Sequence, residues 1–203
     1  MTWRNDQVTE GETEKIASIA SGCLGIEGDF VELGCYKGDT SMVLAEILRK
    51  HNNVGVEKPV ENLVKKLWIY DSFEGLPEKN KEDESELGRD FKRGVLAVTK
   101  REVKMRFLRA GLPVPIIKKA WFDELKDEDL PDRIAFAFLD GDLYESIKQS
   151  LLLVSNKMTR GSVIIIHDYQ NAALPGVAKA VDEWIKDRDI GLMVYETMAI
   201  VRL

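Results

Sequence analysis

Two short, wholly apolar runs constrain this chain more than any other feature. They are IAFAFL at 134–139 and VIII at 163–166. Runs rich in Ile, Val and Phe with no polar alternation read as strands buried on both faces. Such strands belong to a parallel sheet with helices on either side. Each run ends in ionisable residues: Asp140 and Asp142 follow the first, His167 and Asp168 the second. In open parallel sheets, ligands bind beyond the carboxyl ends of the strands. The pattern therefore predicts an α/β enzyme whose catalytic floor is built from these two strand ends.

The rest of the chain supplies the elements such a sheet needs. Further strands are expected at 29–34, 67–70 and 114–117, with a terminal strand pair at 192–195 and 199–203. Thr9 and Glu12 have capping-box spacing ahead of a helical stripe formed by Ile16, Ile19, Ala20, Cys23 and Leu24. A helix over 39–50 follows a turn flanked by Gly34 and Gly38, and Thr99 with Glu102 opens another that runs to about Ala110. Asp142 and Glu145 repeat the spacing, so Asp142 reads first as a helix cap and second as a site residue. Pro175 and Gly176 open the last helix. Residues 1–28 read as an N-terminal helical segment and 29–203 as the main domain, one domain overall. Residues 1–8 read as a frayed end or a flap, and 51–66 as a polar connection with a solvated His51. Residues 78–90 (EKNKEDESELGRD) read as a solvated loop placed where a mobile lid would lie.

Charge and cysteine usage narrow the function classes. A net charge of −6 argues against nucleic acid or an anionic membrane as the main partner. No apolar run approaches the roughly 18–20 residues of a membrane span, and residues 1–29 lack a signal-peptide pattern. Cys23 and Cys35 lack disulfide-framework or metal-site spacing and read as buried apolar residues in a reducing compartment. The expectation is a soluble cytoplasmic protein. The apolar first helix and terminal strands offer a surface for a homo-oligomer.

A strand, a glycine-containing turn and a helix N-terminus form a nucleotide-binding start, because Gly lets the backbone approach a ligand closely. The dinucleotide fingerprint G-x-G-x-x-G is absent, which leaves a mononucleoside such as S-adenosylmethionine. Glu32 before the turn reaches either a cationic ligand group or a Lys partner. Asp71 at the end of the second strand suits ribose hydroxyls, with a turn cap beside Ser72 as the alternative. In AWFD at 120–123, Trp121 reads either as a wall for adenine or as core.

Four motifs together carry a family resemblance: VELGCYKGDTS at 31–41, YDSFEGLP at 70–77, LDGDLYES at 139–146 and HDY at 167–169. In this order and spacing they resemble the macrocin O-methyltransferase (TylF-like) family of S-adenosylmethionine-dependent enzymes that methylate sugar hydroxyls. The match runs from about Val31 to Trp184. It implies the Rossmann-like methyltransferase sheet of seven strands, the last antiparallel. It places Glu32, Gly34 and Gly38 along the methionine part of the cofactor, with Tyr36 and Ser41 from the same motif beside them. It assigns Asp71 to the ribose, with Ser72 next to it, and the family's metal-binding acids to Asp140 and the pair after the fifth strand. Where the family usually has two aspartates before the Tyr, this chain has His167-Asp168.

Methyl transfer to an alcohol requires alignment of the acceptor with the methyl group and removal of a proton. A divalent cation lowers the hydroxyl pKa and positions the oxygen. Asp140 and Asp168 suit Mg²⁺ or Mn²⁺, and His167 as a third ligand moves the preference toward Mn²⁺ or another transition metal. The expectation is a metal-assisted O-methyltransferase for a sugar-like small molecule, with Asp140 or His167 as base. The alternatives are a metal-independent enzyme with His167 as sole base, a non-catalytic nucleoside-binding module, and a nicotinamide oxidoreductase.

Overall fold

The computed structural model describes residues 7–53 and 64–203. The apolar runs become neighbouring strands at the centre of a seven-stranded sheet of order β3-β2-β1-β4-β5-β7-β6. The strands are β1 (Asp29–Leu33), β2 (Leu67–Asp71), β3 (Ile116–Lys119), β4 (Ile134–Leu139), β5 (Met158–Ile166), β6 (Leu192–Tyr195) and β7 (Met198–Arg202). β7 runs antiparallel to β5 and β6, and the other six strands are mutually parallel. The sheet runs outward from β1 in one direction and from β4 in the other. The crevice between their carboxyl ends is therefore the topological switch point, where doubly wound sheets bind ligands.

Period-two alternation splits the core into two layers. Phe30, Phe136, Phe138, Val163 and Ile165 face one side, against α1 (Glu10–Gly22), α2 (Asp39–Asn52) and α3 (Lys100–Ala110). Val31, Leu33, Ala137, Leu139, Ile164 and Ile166 face the other, against α4 (Tyr144–Ser155) and α5 (Pro175–Ile185). Every residue of β4 is buried, and each large apolar side chain so placed is worth about 1.5–3 kcal/mol. The helix α1 is integral to this core: Ile16, Ala20 and Cys23 pack in the same layer as Phe30.

Local signals set the helix starts. Thr9 caps α1 and Thr99 caps α3, each in a reciprocal capping box with the Glu three residues on. α5 opens on Pro175. Three elements differ from expectation. β3 begins at Ile116, not 114, because it is a half-exposed edge strand whose pattern is IIKK. β5 begins five residues early, at Met158, through its pairing with Ile134. Asp142 does not cap α4: Leu143 occupies that position, and the N–H of Tyr144 at the helix start is taken by a side chain of the charged segment. Residues 1–6 and most of the 51–66 connection lie outside the described residues, while His51 is exposed in the last turn of α2.

The charged segment 78–90 is docked rather than freely solvated. Its buried Asp83 accepts a hydrogen bond from Tyr144 N at 2.7 Å. Ser85 Oγ donates to Ala172 O at 2.8 Å and Lys179 Nζ to Glu82 at 3.0 Å. The segment thus closes over α4, α5 and the loop that follows β5.

Candidate active site

Backbone pairing brings the strand ends level. Gly34 N donates to Tyr70 O, Asp140 N to Leu33 O, and His167 N to Leu139 O, at 2.8–3.0 Å. Gly34 makes the closest approach: with φ of 88°, a Cβ there would lie 2.0 Å from Asp140 O. Only glycine fits between β1 and β4 at this height. A cavity of about 780 Å³ opens above the level ends, in the size range of sites that enclose small-molecule ligands.

On one wall, Asp71 organises the turn between β1 and α2. Its Oδ2 accepts from Cys35 N at 2.9 Å and Tyr36 N at 3.2 Å, and its Oδ1 from Phe73 N at 2.7 Å. These bonds hold Tyr36 and Phe73 in left-handed conformations. Asp71, Ser72, Gly34 and Tyr36 all line the cavity, with Trp121 and Phe122 farther along. Gly38 and Ser41 do not: Gly38 is the N-cap of α2, and Ser41 is buried behind Glu32. Glu32 reaches the cavity while only 1% exposed, and it accepts the Ser41 hydroxyl rather than pairing with a Lys. Burial, reinforced by the charges of Asp140, Asp71 and Asp39, pushes its carboxyl up to about 8.

On the opposite wall, Asp140, His167 and Asp168 converge. His167 Nδ1 lies 2.9 Å from Asp140 Oδ1 and 3.1 Å from Asp168 Oδ2. Asn171 Nδ2 donates to Asp168 Oδ1 at 2.8 Å and so turns Oδ2 toward the ring. Asp168 adopts a left-handed backbone, a conformation that costs energy outside glycine. Behind the ring, Nε2 lies 3.5 Å from Glu12 Oε2. Burial opposes a charge on His167, yet the surrounding carboxylates outweigh it and hold the imidazole far above its usual pKa. Burial likewise opposes the Glu12 charge, but bonds from His167, Thr197 and Thr9 bring its carboxyl down to about 2. Nδ1 is thus the ring nitrogen turned toward Asp140 and Asp168, and Nε2 the one turned toward Glu12. One ligand atom from each of Asp140, His167 and Asp168 lies within 4.8 Å of the others. Two carboxylates and an imidazole at this spacing fit a divalent ion such as Mn²⁺.

Asp142, expected first as a cap, is instead a cavity residue. It sits at φ 61° and has no hydrogen-bond partner among the described residues. Burial, with the charges of Asp140 and Asp168, raises its carboxyl well above the usual range. Glu12 was legible only as half of a capping box. No local signal could join it to a histidine far along the chain.

Comparisons with known proteins agree with this architecture. Residues 13–197 match the family described as Macrocin-O-methyltransferase (TylF). The 8-demethyl-8-(2,3-dimethoxy-alpha-L-rhamnosyl)-tetracenomycin-C 4'-O-methyltransferase of Streptomyces olivaceus is 32% identical over 151 residues, 71% of this chain and 54% of the relative. Demethyldecarbamoylnovobiocin O-methyltransferase of Streptomyces niveus is 29% identical over 184 residues, 87% of this chain and 66% of the relative. The chain thus spans between about half and two thirds of these relatives' lengths. Among solved structures, the O-methyltransferase NovP superposes with a TM-score of 0.77 at 27% identity, covering 94% of this chain and 78% of NovP. CalS11, a calicheamicin methyltransferase, gives 0.75 at 18% identity, with 94% and 77% covered, and supports the fold alone.

Proposed function

The chain belongs to the macrocin-O-methyltransferase family, and from that premise we propose that it transfers the methyl group of S-adenosylmethionine to a hydroxyl of a sugar or glycosylated small molecule. The observation that carries this reading is the cavity at the switch point. One of its walls is the Glu32–Gly34–Asp71 turn and the other is the Asp140–His167–Asp168 cluster.

In this reading Gly34 and Tyr36 flank the methionine part of the cofactor, Asp71 and Ser72 face the ribose, and Trp121 borders the adenine. Glu32 ionises as the cationic end of the cofactor arrives, which repays part of its burial cost. Asp140, His167 and Asp168 would hold a divalent cation, which would supply Lewis acidity to the acceptor hydroxyl and fix its position. The acceptor proton goes to a carboxylate oxygen of Asp140, which lines the cavity at the end of β4. Transfer is an in-line displacement in which the sulfonium carbon–sulfur bond breaks as the oxygen–carbon bond forms. The protein's task is alignment and proton removal. The two buried free cysteines fit a reducing cytoplasm. No helix among the described residues is long and apolar enough to cross a membrane.

A second reading keeps the fold and cofactor but omits the cation. It is favoured by His167 itself, whose positive charge already lies among Asp140, Asp168 and Glu12. Assaying methyl transfer to glycosylated acceptors before and after chelation and dialysis separates the two. Activity lost on chelation and restored by Mn²⁺ supports the first, and activity indifferent to chelation supports the second. Absence of any methyl transfer, with S-adenosylhomocysteine bound, would favour a non-catalytic binding module.

A further inference from the structure

His167, at the end of β5, is met from behind by the carboxylate of Glu12. Glu12 is 1% exposed and fully engaged. Its Oε1 accepts from Thr197 N at 3.1 Å and from the Thr197 hydroxyl at 2.5 Å. Its Oε2 accepts from Thr9 N at 3.1 Å and lies 3.5 Å from His167 Nε2. The backbone closes the same circuit: Gln170 N, three residues after His167, donates to Thr197 O at 3.0 Å. The Glu12 carboxylate is thus held at its distance from the imidazole by bonds from Thr9 and Thr197.

We propose that Glu12 is a positioning residue that holds the Nε2 edge of His167, so that Nδ1 faces the point where Asp140 and Asp168 converge. This rests on the metal reading above. A carboxylate behind the ring favours the tautomer with its proton on Nε2 and leaves the Nδ1 lone pair for a cation. A purely structural role for Glu12, as helix cap and turn anchor, makes a different prediction, and Thr9→Ala separates the two. That change removes the hydroxyl that accepts Glu12 N but leaves the Glu12 carboxylate on the ring.

The test is calorimetric titration of Zn²⁺ into the full chain. Glu12→Gln should weaken binding about 10–100-fold, and Thr9→Ala should bind as the wild type does. Unchanged affinity in Glu12→Gln, or equal losses in both variants, overturns the proposal and leaves the metal site standing. No uptake by the wild type removes the metal site and the proposal together. A second measurement needs no variant. The chain has only two histidines, so ¹⁵N-histidine labelling of the Zn²⁺-loaded protein resolves His167 directly. A proton on Nε2 and none on Nδ1 is expected, and the reverse overturns the proposal.

Discussion

Replacing Glu32 with Gln is expected to stabilise the protein, and only above a defined pH. In the unfolded chain Glu32 releases its proton near 4.5, and in the folded protein near 8, because the folded carboxyl is buried. Between these values the unfolded state binds fewer protons than the native state, so stability falls as pH rises. Below 4.5 both states are protonated and the penalty vanishes; above 8 it is complete. At about 1.4 kcal/mol per tenfold change in proton affinity, the interval is worth on the order of 5 kcal/mol. Local relaxation and water entry reduce this, so a gain of at least about 2 kcal/mol at pH 8–9 is expected. Gln retains a partner for the Ser41 hydroxyl and cannot titrate. Urea unfolding followed by the fluorescence of the four tryptophans, from pH 4 to 9, measures it. The variant-minus-wild-type difference should be near zero at pH 4, grow to pH 8 and then level off. A flat difference, or one that grows toward acid, would refute the assignment of a buried neutral Glu32. The same residue sets a binding signature: wild-type affinity for S-adenosylmethionine should rise with pH toward 8, and this rise should be missing in Glu32→Gln.

Three further expectations follow from single contacts. Asp71→Ala removes the acceptor for Cys35 N and Tyr36 N. It should weaken S-adenosylhomocysteine binding at least about tenfold and cost about 1–3 kcal/mol of stability; unchanged affinity by calorimetry would remove Asp71 from the site. Asp140→Asn should lower kcat about 10²–10⁴-fold with cofactor affinity retained, and full turnover in steady-state assays would exclude it as the base. Gly34→Ala would drive a Cβ into Asp140 O, so loss of the cooperative unfolding transition, or a loss above about 3 kcal/mol, is expected by circular dichroism; a near-wild-type transition would contradict the close approach of β1 and β4.

The central sheet was legible because its code is short-range. IAFAFL and VIII can only be strands covered on both faces, and Thr9, Thr99 and Pro175 announce helix starts through chemistry within four residues. The edge was less legible: Ile116 and Ile117 alternate with nothing, and pairing with β2 decides where β3 begins. Asp142 shows the limit of a local rule. Its spacing from Glu145 is that of a capping box, but the turn after β4 puts Asp142 in a left-handed conformation and leaves the N-cap position to Leu143. Asp83 in the charged segment and Glu12 in the first helix were illegible for one reason. Each is a carboxylate whose role is set by a partner 61 or more residues away; Asp83 read as part of a solvated loop and Glu12 as half of a capping box.

The measurement that tests the account most directly is calorimetry of the purified protein, titrated first with S-adenosylhomocysteine and then with Mn²⁺, beside Asp140→Asn. The account predicts micromolar cofactor-product binding in both proteins, and one Mn²⁺ per chain in the wild type that the variant fails to take up. No binding of S-adenosylhomocysteine, with or without Mn²⁺, would contradict the assignment of the cavity above β1 and β4 to this cofactor.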